Sequence, residues 1–186
     1  MTSLRRTLDY LDAHNIRYAH TTHSPALTAE QVAAAEHIPP HRLAKSVLYR
    51  STDGYVLVLV PADSFVDPSQ VRTALGVPGL HLAEELELGF VFPDAELGAM
   101  PPLGNAVGLP VYLDRELADQ QFIAFKAGTC RDVIHMKTTD FCRLVQPVVG
   151  DFCRPKSHLT ESFATADLCV SRRRINAADC GSPNDQ

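Results

Sequence analysis

The spacing of apolar and polar positions changes period several times along this chain. Leu4, Leu8 and Leu11 recur at helical spacing behind Ser3, so a helix capped by Ser3 is expected to run to about His14. Ile16 to His20 fits a short strand. Thr28-Ala-Glu-Gln31 has the T-x-x-Q form of a capping box and opens an Ala-rich helix to about His37, where Pro39-Pro40 breaks it. Ala44–Arg50 then reads as a strand, Thr52-Asp53-Gly54 as a turn, and Tyr55–Val60 as a nearly continuous apolar strand. The pair is expected to form a hairpin whose second strand lies centrally in a sheet. Asp67-Pro68 caps and starts a further helix that Gly76 ends, and Ala83–Leu88 fits a short acidic helix.

The pattern then breaks. Phe90 to Pro110 reads FVFPDAELGAMPPLGNAVGLP, with three glycines and four prolines, too many for one regular element. Beyond it Val111–Leu113, Phe122–Phe125 and Val133–Met136 fit strands, and Thr139–Val145 fits a closing helix. Periodicity fades from Cys153. A single domain over 1–152 is therefore expected, followed by a partly disordered tail over 153–186. Within that tail Arg172–Arg174 fits either contact with RNA phosphates or a solvated charge run.

Composition narrows the setting. No apolar run approaches the ~20 residues that span a bilayer, and the N-terminal stretch has no continuous apolar core of the signal-peptide kind. A cytoplasmic protein without membrane contact is expected. Five cysteines, at 130, 142, 153, 169 and 180, are odd in number and form no C-x-x-C pair, which fits free thiols in a reducing compartment. The net charge of −5 argues against a long duplex-binding surface and so against DNA, while leaving room for contact with a small part of an RNA.

Three places carry candidate chemistry. Lys45 lies just inside a strand, on the face that Val47 and Tyr49 should make apolar, where its ammonium either snorkels to solvent or serves a pocket. Gly98-Ala-Met-Pro-Pro102-Leu-Gly104 fits either a stiff connector or a rigid loop whose backbone N–H groups face a ligand. Phe125-Lys-Ala-Gly-Thr129-Cys130 fits a turn between strands. Weaker candidates are His20 with His23 and His37 with His41, which lack the carboxylates or thiolates of a diagnostic metal site. Adjacent Glu84 and Glu85 do not face each other on a helix, and Cys130 and His135 fall on opposite faces of a strand. No G-x-S-x-G, P-loop or G-x-G-x-x-G motif occurs.

In order, HSPALTAEQVAA, LAKSVLYR, DGYVLVLVPAD, FPDAELGAMPPLG, GLPVYLD, FKAGT and DFCRLVQPVV resemble the YbaK/EbsC family of aminoacyl-tRNA deacylases and prolyl-tRNA synthetase editing domains, over roughly residues 16 to 150. The resemblance implies an α/β fold with a mixed, curved sheet flanked by helices. It also implies hydrolysis of the ester between a small wrong amino acid and the 3′-terminal adenosine of a tRNA, often tRNA-Pro. The family's lysine falls on Lys45 and its G-x-x-x-P loop on Gly98 to Pro102, making Lys45 and Gly98 the expected catalytic positions. Ala99, Met100, Pro101, Pro102, Gly128 and Thr129 are expected to bind substrate, with Thr28, Ser46, Val47 and Cys130 as further pocket residues. No metal or cofactor is implied. The implied partners are the tRNA acceptor end and a prolyl-tRNA synthetase. Many relatives read F-N-A-G-T/S-H where this chain has Phe125-Lys126-Ala-Gly-Thr-Cys130, so an ammonium and a thiol replace an amide and an imidazole. That departure keeps open a module that binds aminoacyl-tRNA, or a related aminoacyl or nucleotide ligand, without turnover. A third possibility is an interaction protein acting through its tail.

Overall fold

The computed structural model describes residues 2–155, which form a mixed sheet with helices packed on it. In chain order the strands are β1 (Tyr18–Thr22), β2 (Leu43–Ser51), β3 (Gly54–Pro61), β4 (Ser64–Val66), β5 (Leu80–Leu82), β6 (Val111–Asp114), β7 (Phe122–Lys126), β8 (Asp132–Lys137), β9 (Val148–Gly150) and β10 (Cys153–Pro155). The helices are α1 (Ser3–Ala13), α2 (Ala29–Ala35), α3 (Pro68–Leu75), α4 (Glu85–Val91), α5 (Arg115–Ala118) and α6 (Thr138–Val145). The main sheet runs β1-β8-β7-β2-β3-β6-β9, with β5 on β2, while β10 pairs with β4 separately.

The expected hairpin is present. Strands β2 and β3 pair antiparallel from Ala44↔Pro61 to Ser51↔Gly54, and β3 is central, with β6 parallel on its far side. Its continuous apolar run fills both faces at once. Leu57 and Leu59 join Leu48, Phe125, Ile134 and Phe141 in one core. Val56, Val58 and Val60 point the other way and join Tyr49, Val71 and Phe152 in a second. A third, smaller core packs Val32 and Ala33 of α2 on Leu43, Ala124 and Val133.

The caps follow local chemistry. Both halves of the Thr28/Gln31 capping box form, and Asp67 caps α3, which Gly76 ends in the left-handed conformation. Helix α1 departs by one residue: the hydroxyl of Thr2, not Ser3, accepts from the Arg5 amide, and Ser3 is already helical and buried. The periodicity did not show β4, β5, β9, β10 or α5, each of three or four residues. Strand β10, at Cys153–Pro155, pairs with β4. The remainder of the expected tail, with Arg172–Arg174, lies outside the described residues.

Candidate active site

The site begins as a gap in the sheet. β2 pairs in parallel with β7 only at Leu43↔Ala124 and Ala44↔Phe125, and the same strand next pairs, with β5, at Tyr49↔Leu82. Between these points the strands part, and the Gly98–Met100 segment covers the opening. A cleft of about 20 Å³ remains. Ala44, Lys45 and Ser46 of β2 form one wall, Gly98 and Met100 the roof, and Lys126 at the end of β7 the far wall, with Leu43 and Ala29 completing it.

Lys45 is half-buried on the same face of β2 as Val47 and Tyr49. Its ammonium donates to the Ser64 carbonyl at 2.9 Å and lies 5.1 Å from the centre of the Phe65 ring, a cation–π distance. A backbone oxygen and an aromatic face from β4 thus hold the charge, while the residue lines the cleft.

The roof is built from a backbone that only glycine adopts cheaply. Gly98 has φ +75°. The next carbonyl, of Ala99, accepts from the Gly128 amide at 2.9 Å, and the Gly128 carbonyl accepts from the Glu96 amide at 3.0 Å. These two bonds clamp the Gly/Pro section to the turn after β7. Gly128 itself, at φ +98°, lies against the start of α1: a Cβ there would meet the Ser3 Cβ at 2.5 Å and the Leu4 nitrogen at 3.0 Å. Thr129 secures the same turn by donating to Asp132 at 2.5 Å. Asp132 also receives the Thr22 hydroxyl at 3.3 Å and pairs with the His20 ring at 2.7 Å. Burial raises the Asp132 carboxyl's pKa, but the bonds from Thr129, His20 and Thr22 outweigh it and hold the carboxyl below its ordinary value.

Lys126 is 7% exposed and donates to the Ala26 carbonyl at 3.3 Å and the Leu27 carbonyl at 3.0 Å. Burial lowers its pKa, with Cys130 and Glu96 acting in the opposite sense. Cys130, also buried, donates its amide to Glu96 at 2.6 Å and its thiol to the Leu97 carbonyl at 3.7 Å. Burial pushes that thiol's pKa up, Lys126 works against the rise, and the Glu96 carboxylate adds to it. The protonated thiol is a poor nucleophile.

Of the twelve expected site positions, the structure gathers Lys45, Ser46, Gly98 and Met100 around the cleft. Gly128, Thr129 and Cys130 support it from the adjoining turn, and Ala99 is fully buried as the link between the two segments. The hydroxyl of Thr28 is committed to capping α2, one residue before cleft-lining Ala29. Val47 packs against the second core and is not among the residues lining the cleft. Pro101 lines a different cavity, of about 490 Å³, between α1 and the chain around Phe92 and Leu103. Pro102 is buried. Lys126, Ala29, Leu43 and Ala44 are wall residues that the pattern did not single out as such. Only the departure at Lys126 from the relatives' F-N-A-G pattern marked one of them.

The histidines take other roles. His20 pairs with Asp132, and the ring of His23 contacts the Ser24 carbonyl at 2.6 Å. His135 sits 2.9 Å from Glu36 and 3.1 Å from the Thr21 hydroxyl, on the other face of the same sheet edge. Among the described residues the grouping compatible with a metal is Asp114, Glu116 and Cys153, whose ligand atoms lie within 4.8 Å of one another. Asp114 accepts the Glu116, Phe152 and Cys153 amides at 2.7 to 2.9 Å, which accounts for its burial.

Residues 23–144 match the model of the aminoacyl-tRNA editing domain family. The multifunctional Ser/Thr-tRNA deacylase ProXp-y of Escherichia coli (strain K12) is 32% identical over 105 residues, which are 54% of this chain and 60% of that protein. The proline–tRNA ligase of Thermotoga neapolitana is 27% identical over 140 residues, covering 68% of this chain but 22% of the ligase. The chain thus spans less than two thirds of the length of either of these curated relatives. A solved structure of a candidate trans-editing enzyme for prolyl-tRNA synthetase shares the fold, with a TM-score of 0.72 at 24% identity, over 83% of this chain and 98% of that one. The chain belongs to the aminoacyl-tRNA editing domain family.

Proposed function

We propose that this member of the aminoacyl-tRNA editing domain family is a trans-editing deacylase. It hydrolyses the ester between a small non-cognate amino acid and the 3′-terminal adenosine of a tRNA, most naturally tRNA-Pro. The observation that carries this reading is the cleft between Lys45 and the Gly98–Met100 roof. An ammonium at its edge suits a phosphate or sugar oxygen of the tRNA end and orients the ester. The glycine-permitted turn at Gly98 supports a role for its backbone amides in holding the aminoacyl carbonyl and the negative charge that develops there. Water is the attacking group: the ester is activated, so fixing it beside water supplies much of the rate. Cys130 does not take the part of nucleophile, since its buried thiol stays protonated.

Selectivity follows from size. A space of about 20 Å³ receives a group no larger than one or two heavy atoms, and a bulkier cognate side chain is excluded. The proline–tRNA ligases among the relatives favour a prolyl-tRNA synthetase as the partner whose errors are cleared, and a cytoplasmic setting goes with that role. No helix among the described residues is long and apolar enough to cross a membrane.

The test is deacylation of Ala-, Cys- and Ser-tRNA-Pro by the wild type beside Lys45→Ala. Release of one amino acid by the wild type, at least ~100-fold slower in the variant, is the expected result. Folded wild-type protein that binds the tRNA and releases nothing would leave a binding module in its place.

A further inference from the structure

Lys126 presents an unusual combination at the far wall of the cleft. It is a lysine, 7% exposed, at the end of a central strand. Its ammonium donates to two neutral carbonyls, those of Ala26 and Leu27, at 3.3 and 3.0 Å. An ammonium has three N–H donors, so these two bonds leave one. Lys126 lines the same space of about 20 Å³ as Ser46, Gly98 and Met100. Apart from Lys45, whose ammonium is directed to Ser64, the other side chains around that space are apolar or small. Its burial places it out of reach of phosphates outside the cleft, which removes a role in holding the tRNA backbone.

A buried donor left without an acceptor is costly, and a bond to a charged donor is stronger than one between neutral groups. A site built to hydrogen-bond a substrate oxygen therefore rejects an analogue that lacks it far better than a site that only measures size. The space beside Lys126 fits a hydroxymethyl group. A methyl group would fit equally well and leave the N–H unanswered. A thiol is longer and a weak acceptor.

We propose that Lys126 is the specificity-determining residue of the cleft, and that its third N–H selects an aminoacyl group bearing a small side-chain hydroxyl, serine, over alanine and cysteine. This deepens the deacylase reading and rests on it for the location of the aminoacyl group. It concerns a position at which this chain departs from the F-N-A-G pattern, so it is a property of this chain. Selection works through one added bond: with serine bound, the ammonium donates to Ala26, Leu27 and the substrate hydroxyl, and no buried donor is left over.

The experiment uses the full chain and the non-hydrolysable amides 3′-serylamino- and 3′-alanylamino-3′-deoxyadenosine, with dissociation constants read by calorimetry. Tighter binding of the seryl amide by about 10- to 100-fold is expected for the wild type. Lys126→Met keeps the length and removes the donors, and its ratio should fall to within about threefold of one. Lys126→Asn, which restores the relatives' residue, should give an intermediate ratio. Melting temperatures show whether each variant is folded, and equal binding by the wild type overturns the proposal even where neither folds. Equal binding of the two amides by wild type, or an undiminished ratio in folded Lys126→Met, overturns the proposal. Because the amides do not turn over, this holds whatever the deacylation assay shows: a serine preference without ester hydrolysis would defeat the deacylase reading alone, and hydrolysis without a preference would defeat the assignment to Lys126 alone.

Discussion

Gly98 and Gly128 show how differently two glycines in one site are constrained. Both have positive φ, yet a Cβ on Gly98 finds only the Leu27 carbonyl, at 3.9 Å, while one on Gly128 runs into the first turn of α1. Gly98→Ala should therefore cost only the backbone strain, about 1–2 kcal/mol. Gly128→Ala should cost that and the displacement of Ser3 and Leu4, and so lose several kcal/mol. Urea unfolding of the two variants checks this, and equal losses would show that α1 yields. Deacylation by Gly98→Ala should fall at least ~10-fold even in folded protein, because the roof amides turn with the backbone. The sequence revealed that something unusual happens between Phe90 and Pro110, because glycine and proline density is visible in a string. It did not show that Ala99 and Gly128 bond to each other, since that contact joins residues 29 apart. Lys45 was conspicuous for the same reason that its partner was not. A charge on an apolar strand face stands out, but the Ser64 carbonyl that receives it belongs to the three-residue β4, too short to leave a period.

At the scale of elements, long strands and capped helices were legible and short ones were not. The β2–β3 hairpin spans enough residues to fix both its register and its two faces, whereas three-residue β5 and β9 exist because a neighbouring edge offers them partners. Strand β1 is the edge of the main sheet and is fastened on both faces by ionisable groups. On one face Asp132 joins His20 and Thr22, and on the other Glu36 joins Thr21 and His135. Burial raises both carboxyls' pKa values, but their hydrogen bonds prevail and hold each below its ordinary value. A carboxylate held low in the folded state contributes stability that is complete above its unfolded value, about pH 4, and lost as the pH falls through the folded value. Strand β1 should consequently loosen below about pH 4, ahead of the β2–β3 hairpin, whose paired residues are mostly apolar. Amide exchange at Tyr18–Thr22, corrected for intrinsic rate, should show opening eased between pH 6 and pH 3, and Asp132→Asn should blunt the change. Opening that is independent of pH would mean the backbone ladder to β8 alone holds the edge. The helix that carries Ala29 to the cleft has its own fastening. Thr28→Ala should remove half of its capping box and cost about 1 kcal/mol, read by the same unfolding assay.

For the molecule as a whole, the ordered fold depends on how its last described residues close it. Asp114, at the end of β6, is 2% exposed, and its carboxylate accepts the amides of Phe152 and Cys153 at 2.7 and 2.9 Å and that of Glu116 at 2.9 Å. The Phe152 ring is buried edge-on against Tyr112, with ring centres 5.6 Å apart, and its carbonyl accepts from the Asp67 amide at 2.7 Å. Residues 152–155 therefore join β6, the start of α3 and β4. The fading of hydrophobic period at Cys153 did not reveal this, because one aromatic ring and two amides aimed at a distant aspartate have no repeat. A protein ended after Lys156 keeps all of these contacts. One ended after Gly150 loses a buried aromatic, worth about 3–5 kcal/mol, and leaves a buried carboxylate short of two of its three donors. Since a domain of this kind has only about 5–15 kcal/mol in total, the 1–150 protein should be largely unfolded, or should melt far below the 1–156 protein. The 1–156 protein should also keep the deacylation proposed for the full chain, because every residue of the cleft and of its clamp lies inside it. Matching melting curves for 1–150 and 1–156 would refute the closing role of Phe152. Folded 1–156 protein without activity would show instead that residues beyond 156 take part in binding the tRNA, and would move the search for its contacts there.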